Sequence, residues 1–207
     1  DGARRVPKAL REVQLDAAIV AQSGPPSPEL DRLFTSLNIP IVYVNGRRST
    51  NSVYPNNRGA SRDITRHLIE LGFRSIGFLH APSDAPDEIV IDRRAGYEAA
   101  MQTDSLAPRV IEIGSDALPQ ALWARQSLSD QERALLPDAF LCADDFTALH
   151  LFNMLYAAGL RVPDDIAIAG FGDNVYASVC PVPLTTAHIP YRDMGRAAIA
   201  MALDMIK

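Results

Sequence analysis

The sequence predicts an α/β fold in which parallel sheets carry helices on both faces, and two observations carry that reading. Short apolar runs alternate along the chain with longer segments whose apolar residues recur at helical spacing. Glycine or proline then stands where one element gives way to the next. With 207 residues, 47% of them hydrophobic, the chain can bury a substantial core in one domain or two closely coupled subdomains.

In chain order, Ala17 to Ala21 and Ile41 to Val44 read as strands, separated by the punctuation Gly24-Pro25-Pro26-Ser27-Pro28. Ala60, Ile64, Leu68 and Leu71 fall on one face of a helix that Gly72 ends. Ile76 to Leu79 is the next strand, followed by a loop from Ala81 to Ile91 that includes Pro82 and Pro86. A less regular helix runs from Arg93 to Met101, with Arg93 and Arg94 opening it. Val110 to Ile113 and Phe140 to Ala143 read as strands. A clear helix then carries Ala148, Leu149, Phe152, Leu155 and Tyr156 and stops at Gly159, ahead of Val162-Pro163. Ile166 to Ala169 is the last apolar strand, Cys180-Pro181-Val182-Pro183 marks a loop, and the chain ends in a helix.

Several functions are excluded. A net charge of −5 leaves no basic face for phosphate backbones, so this portion should not bind DNA by itself. Cys142 and Cys180 lie in apolar stretches without the spacing of a metal site, which predicts buried free thiols and no metal. His67, His80, His150 and His188 are dispersed, with two of them inside helices, and read as surface or satisfied side chains. No apolar run approaches the roughly 18 residues that cross a bilayer, and the first residues lack the apolar core of a secretory signal, so a soluble cytoplasmic protein is expected. Phosphate-binding loops, nucleophile elbows and His-Glu-x-x-His pairs are absent. Gly170-Phe171-Gly172 follows a strand but lacks the third glycine of a dinucleotide fingerprint, so no cofactor is expected.

Two candidate groups remain at the carboxyl ends of strands, where open α/β sheets bind ligands. Asp144 and Asp145 follow the strand ending at Ala143: Asp145 is placed to cap the next helix, which leaves Asp144 to face the crevice. Arg93 offers a planar fork of donors suited to carboxylates and vicinal hydroxyls.

Further motifs identify a family. Leu160-Arg161-Val162-Pro163-Asp164-Asp165-Ile166-Ala167-Ile168-Ala169-Gly170-Phe171, then Pro183-Leu184-Thr185-Thr186, Pro190 and Met194-Gly195, resemble the LacI/GalR transcription regulators in order and spacing. Asn56-Asn57-Arg58-Gly59-Ala60, Leu71-Gly72-Phe73-Arg74, Arg93-Arg94-Ala95-Gly96-Tyr97 and Ala143-Asp144-Asp145 agree, so the resemblance covers nearly the whole chain from about Lys8 onward. It implies a periplasmic-binding-protein-like core of two doubly wound parallel-sheet subdomains around a ligand cleft, and not an enzyme. Residues 1–55 and 190–207 would form a partial N-terminal, DNA-proximal subdomain, and 56–189 the C-terminal one. No stretch resembles the family's helix-turn-helix headpiece, or the first strand, helix and second strand of the near subdomain. Operator DNA would then be bound by a headpiece outside this sequence, and the family habit is a homodimer.

The resemblance also implies a site. Arg93 stands where the family's Arg-x-x-Gly motif holds the effector. Asp144 occupies the position of a ligand-facing Asn, and Gly172 that of an Asp that clamps sugar hydroxyls, with Asp173 one place later. On the near subdomain, Asn45 stands where relatives often present an Asp, Tyr54 lies at the first crossing between subdomains, and Tyr191 after the second could supply an aromatic wall. The resemblance implies a small metabolite, a sugar or sugar acid, as effector, and fewer carboxylates beside a retained arginine favour one that carries a carboxylate, as a sugar acid does. The same fold also serves periplasmic-type solute-binding proteins, and an α/β enzyme using Asp144 or Asp173 is a further reading.

Overall fold

A strand that reads as an unbroken apolar run belongs to a parallel sheet buried on both faces. The computed structural model, which describes residues 15–21, 28–46, 50–83 and 87–206, shows two parallel sheets, and the central strands of the larger are buried in this way. The first comprises β1 (Ala18–Ala21), β2 (Ile41–Val44) and β3 (Ser52–Val53), all parallel, with Ala18 opposite Ile41 and Tyr43 opposite Ser52. The second is β4 (Ile76–His80), β5 (Arg109–Glu112), β6 (Ala139–Cys142), β7 (Ala167–Gly172) and β8 (Thr185–His188), also parallel, in the spatial order β5-β4-β6-β7-β8. Helices α1 (Pro28–Ser36), α2 (Asn57–Glu70), α3 (Glu88–Thr103), α4 (Gln120–Trp123), α5 (Asp130–Arg133), α6 (Asp145–Ala157), α7 (Val175–Val179) and α8 (Tyr191–Met205) alternate with them. No described helix is long and apolar enough to cross a membrane. The chain divides into two compact units, one of residues 1–55, 87–89 and 190–207, the other of residues 56–86 and 90–189.

In the second unit the period-2 alternation of a strand sorts side chains between two cores. Along β6, Phe140 and Cys142 pack with Leu79, Ile111, Leu122, Leu151, Leu155 and Ile168 on one face. Ala139 and Leu141 pack with Leu68, Ile76, Phe78, Tyr97 and Met101 on the other. Both faces are therefore covered, as a doubly wound sheet requires. Tyr97 is fully buried, and its hydroxyl donates to the Ile76 carbonyl at 2.7 Å and accepts from the Arg109 amide at 2.7 Å. Burial pushes its phenol up to about 12. In the first unit Val42 of β2 packs on Ala198 and Ala202 of α8.

The spatial order fixes where function can sit. From β4 the chain winds outward to β5, then returns to add β6 on the opposite side of β4. The loops leaving β4 and β6 diverge, opening a crevice at their carboxyl ends.

Several expectations need correction. Arg93 and Arg94 do not open α3, which begins five residues earlier at Glu88 and takes in the end of the expected loop. Gly170-Phe171-Gly172 does not follow the strand but forms its last three residues, within β7. Strands β3 and β8 and helices α1, α4, α5 and α7 were unassigned from sequence. The punctuation at 24–27 and the loop residues 84–86 lie outside the described residues, as do residues 1–14.

Candidate functional site

At the crevice between β4 and β6, Arg93 is almost wholly buried, 6% exposed. Its Nε donates to Asn57 Oδ1 at 3.0 Å, its Nη1 donates to the Ala143 carbonyl at 2.6 Å, and its guanidinium carbon lies 3.7 Å from the centre of the Phe171 ring. Ala143 in turn donates its amide to the Leu79 carbonyl at 2.7 Å. The cation is thus fixed to the carboxyl ends of β4 and β6 and stacked on β7, a placement that combines charge-assisted hydrogen bonds with cation–π attraction.

The reach of Arg93 depends on Gly96, one turn further along α3. A Cβ at Gly96 would overlap the Arg58 carbonyl oxygen and lie 3.0 Å from the Arg62 amide nitrogen, both backbone atoms of α2. Only glycine lets the two helices approach this closely, and the approach brings Arg93 to Asn57. Ser61 ties the same helices together by donating to the Arg93 carbonyl at 2.6 Å.

The two aspartates after β6 depart from the roles expected of them. Asp144, not Asp145, caps α6: its backbone is extended and its carboxylate accepts from the Thr147 amide at 2.7 Å. Asp144 is half-buried, and the residue expected to face the crevice is also the N-cap that opens α6. Asp145 is 0% exposed. Its Oδ1 accepts from the Thr186 hydroxyl at 2.6 Å and its Oδ2 from the Asn174 amide at 3.0 Å. Both carboxylates, after burial itself, hold the neighbouring Cys142 thiol well above the usual thiol range.

Beyond β7 the chain turns sharply. Gly172 has φ +137 and Asp173 φ +51, the first a conformation that L side chains rarely adopt. Gly172 therefore contributes backbone and no side chain to the site. Asp173 donates its amide to Thr186 Oγ1 at 3.2 Å, and its exposed carboxylate pairs with His188 Nδ1 at 2.8 Å. Arg93, Asp144, Gly172 and Asp173 are all brought to one end of the same sheet.

In the other unit, Asn45 follows β2 with φ +69 and donates its amide to the Val53 carbonyl at 2.9 Å. Tyr54 follows β3 and is 43% exposed, so the two residues leave neighbouring strands on the same side. Tyr191 is the first residue of α8 and 54% exposed. The described residues contain no group of three or more His, Cys, Asp or Glu able to hold a metal ion.

Asn57, Phe171, Thr186 and His188 were not picked out from sequence as site residues. Asn57, Phe171 and Thr186 lie in motifs that carried the resemblance, which is the one signal that could have drawn attention to them. His188 becomes visible only once β7 and β8 are paired.

Comparison with known proteins bears on the family and the fold. Residues 65–207 match the family model of the periplasmic binding protein-like domain. The chain is 28% identical over 206 residues to the HTH-type transcriptional repressor PurR of Photobacterium profundum, covering 97% of this chain and 60% of that protein. It is 31% identical over 180 residues to the arabinose metabolism transcriptional repressor of Geobacillus stearothermophilus, covering 83% of this chain and 48% of that one. This chain thus spans about half to three fifths of the length of these relatives. Among solved structures, a LacI family transcriptional regulator from Silicibacter pomeroyi superposes with a TM-score of 0.71 at 25% identity, covering 92% of this chain and 72% of that one.

Proposed function

This chain belongs to the periplasmic binding protein-like domain family, and from that premise we propose that it is the effector-sensing part of a cytoplasmic LacI-type regulator. It binds a small metabolite, a sugar or sugar acid, at the carboxyl end of the β4–β8 sheet, and so modulates operator binding by a separate headpiece. The observation that carries the reading is Arg93, a buried guanidinium anchored to Asn57 and Ala143 and stacked on Phe171 at the crevice between β4 and β6. Asp144 and Asp173 supply acceptors for hydroxyls beside it. A relative named for arabinose metabolism supports a sugar-like ligand.

The site works by binding, without catalysis. A ligand shifts the balance between two arrangements of a protein only by its different affinity for each. In a dimer of such chains, that shift would alter the spacing of two headpieces on half-sites roughly one helical turn apart. Asn45, Tyr54 and Tyr191 stay in this proposal as further effector-binding residues, on the strength of the family resemblance alone.

A thermal-shift screen of the chain against sugars, sugar acids, nucleobases and phosphorylated metabolites tests this, since a ligand of the folded state raises the midpoint by mass action. A sugar or sugar acid that raises the midpoint of the wild type but not of Arg93→Lys is the expected result. A compound that stabilises both equally would remove Arg93 from the site, and a response confined to nucleobases would overturn the ligand class.

A further inference from the structure

Asp145 is a fully buried carboxylate that effector recognition, as assigned above, does not use and that does not cap its own helix. Burying such a group is costly unless hydrogen bonds replace its hydration. Here each oxygen has one donor, Thr186 on β8 and the Asn174 amide just after β7. The glycines of β7 make the room. Gly170 and Gly172, two apart in a strand, face the same side. A Cβ at Gly170 would overlap Asp145 Oδ1, and one at Gly172 would come within 3.0 Å of Oδ2 and 2.9 Å of Asn174 Nδ2. The Gly-x-Gly spacing is thus the imprint of this carboxylate on the strand.

The donor chain has a direction. The Thr186 hydroxyl has one proton, which it gives to Asp145 Oδ1, so its lone pairs are what receive the Asp173 amide at 3.2 Å. Asp145 therefore holds the turn at both Asp173 and Asn174, through Thr186 in the first case and directly in the second. That turn sets Asp173 against His188 at 2.8 Å.

We propose that Asp145 is a positioning residue: through Thr186 and the Asn174 amide it fixes the Gly172–Asn174 turn and so presents the Asp173–His188 pair at the effector end of the sheet. This rests on the effector-site reading above for its purpose, while its test needs no effector. With no side chain at position 172 and the Asp173 carboxylate paired with His188, this site has a different polar edge from one that carries an aspartate at the position of Gly172.

The test uses the whole chain and NMR of Thr186→Val, Thr186→Ser and Asp173→Asn. Valine keeps the shape of threonine but neither donates to Asp145 nor accepts from Asp173, whereas serine does both. In Thr186→Val the Asp173 amide should exchange at least tenfold faster than in wild type, and the His188 ring nitrogens should shift to the values seen in Asp173→Asn. Thr186→Ser should restore wild-type exchange and ring shifts. Unchanged exchange and unchanged His188 shifts in folded Thr186→Val would overturn the proposal, as would a Thr186→Ser protein that behaves like valine. Either failure leaves the Arg93 ligand screen untouched, so the two readings fall separately.

Discussion

Gly170→Ala, measured with and without Asp145, separates the demand of the buried carboxylate from any demand of the strand. Gly170 lies inside β7 without the positive φ that would itself require glycine, so alanine there gains about 0.5–1 kcal/mol from chain entropy. Against this, the new methyl would overlap Asp145 Oδ1 and sit 3.4 Å from Asp145 Cα and Cγ, so the carboxylate must swing away. Losing the Thr186 hydrogen bond to a charged group costs about 1.5–3 kcal/mol, and overpacking a filled core about 1–3 kcal/mol. The net is a destabilisation of about 2–5 kcal/mol, which lowers the melting midpoint of a chain this size by roughly 4–20 °C. In an Asp145→Ala background the methyl enters vacated space, and the same substitution should cost under about 1 kcal/mol. Urea denaturation of wild type, both single variants and the double variant gives the coupling energy, expected near 2–4 kcal/mol. Additivity within about 0.5 kcal/mol would refute the reasoning, because contacting residues must couple and only independent sites add.

Gly172→Ala should behave differently. Its φ of +137 penalises any side chain, so its cost of about 1–3 kcal/mol should persist in the Asp145→Ala background when measured by the same denaturation. Arg93→Lys removes the Nε bond to Asn57 and the flat contact on Phe171, and urea unfolding should show a loss of about 1–3 kcal/mol even without ligand. Tyr97 is neutral in the folded state up to about 12, whereas an exposed tyrosine ionises at 10.0, so folding is favoured below pH 10 and loses that contribution as pH rises toward 12. The urea midpoint of the wild type should therefore fall across that window more steeply than that of Tyr97→Phe. Burial, with Asp144 and Asp145 adding to it, keeps Cys142 protonated, and burial also raises Cys180, so neither should react with a disulfide reagent at mildly alkaline pH until the chain unfolds.

The strands that the sequence revealed are those buried on both faces. Phe140-Leu141-Cys142 and Ile166 to Ala169 present no polar residue to either core and so stand out as runs. β8 did not, because Thr185 to His188 is an edge strand with exposed and half-buried positions and two threonines that face other duties. β3 is two residues long and is defined only by its pairing with β2. The start of α3 was misplaced because Ile89, Val90 and Ile91 are β-branched residues with weak helical preference, overridden here by packing of the rest of the helix.

The site divides along a different line, between what a motif can name and what only a register can assign. Arg93 could be named from Arg-x-x-Gly, but its reason is the backbone of α2 pressed against Gly96, a contact between residues 34 and 38 positions apart that no local pattern encodes. Asp144 and Asp145 show the sharper limit. Which of two adjacent aspartates caps a helix depends on a boundary that sequence fixes only to within a residue or two, and a shift of one residue exchanges a partly exposed acceptor for a buried one. Gly170-Phe171-Gly172 suffered the same ambiguity in another form. Read as loop, two glycines spaced by two suggest a phosphate cradle; read as strand, the same spacing puts both on one face and implies a group packed against it. Burial on both sides of Phe171 decides for the strand, and the strand in turn identifies Asp145 as the group.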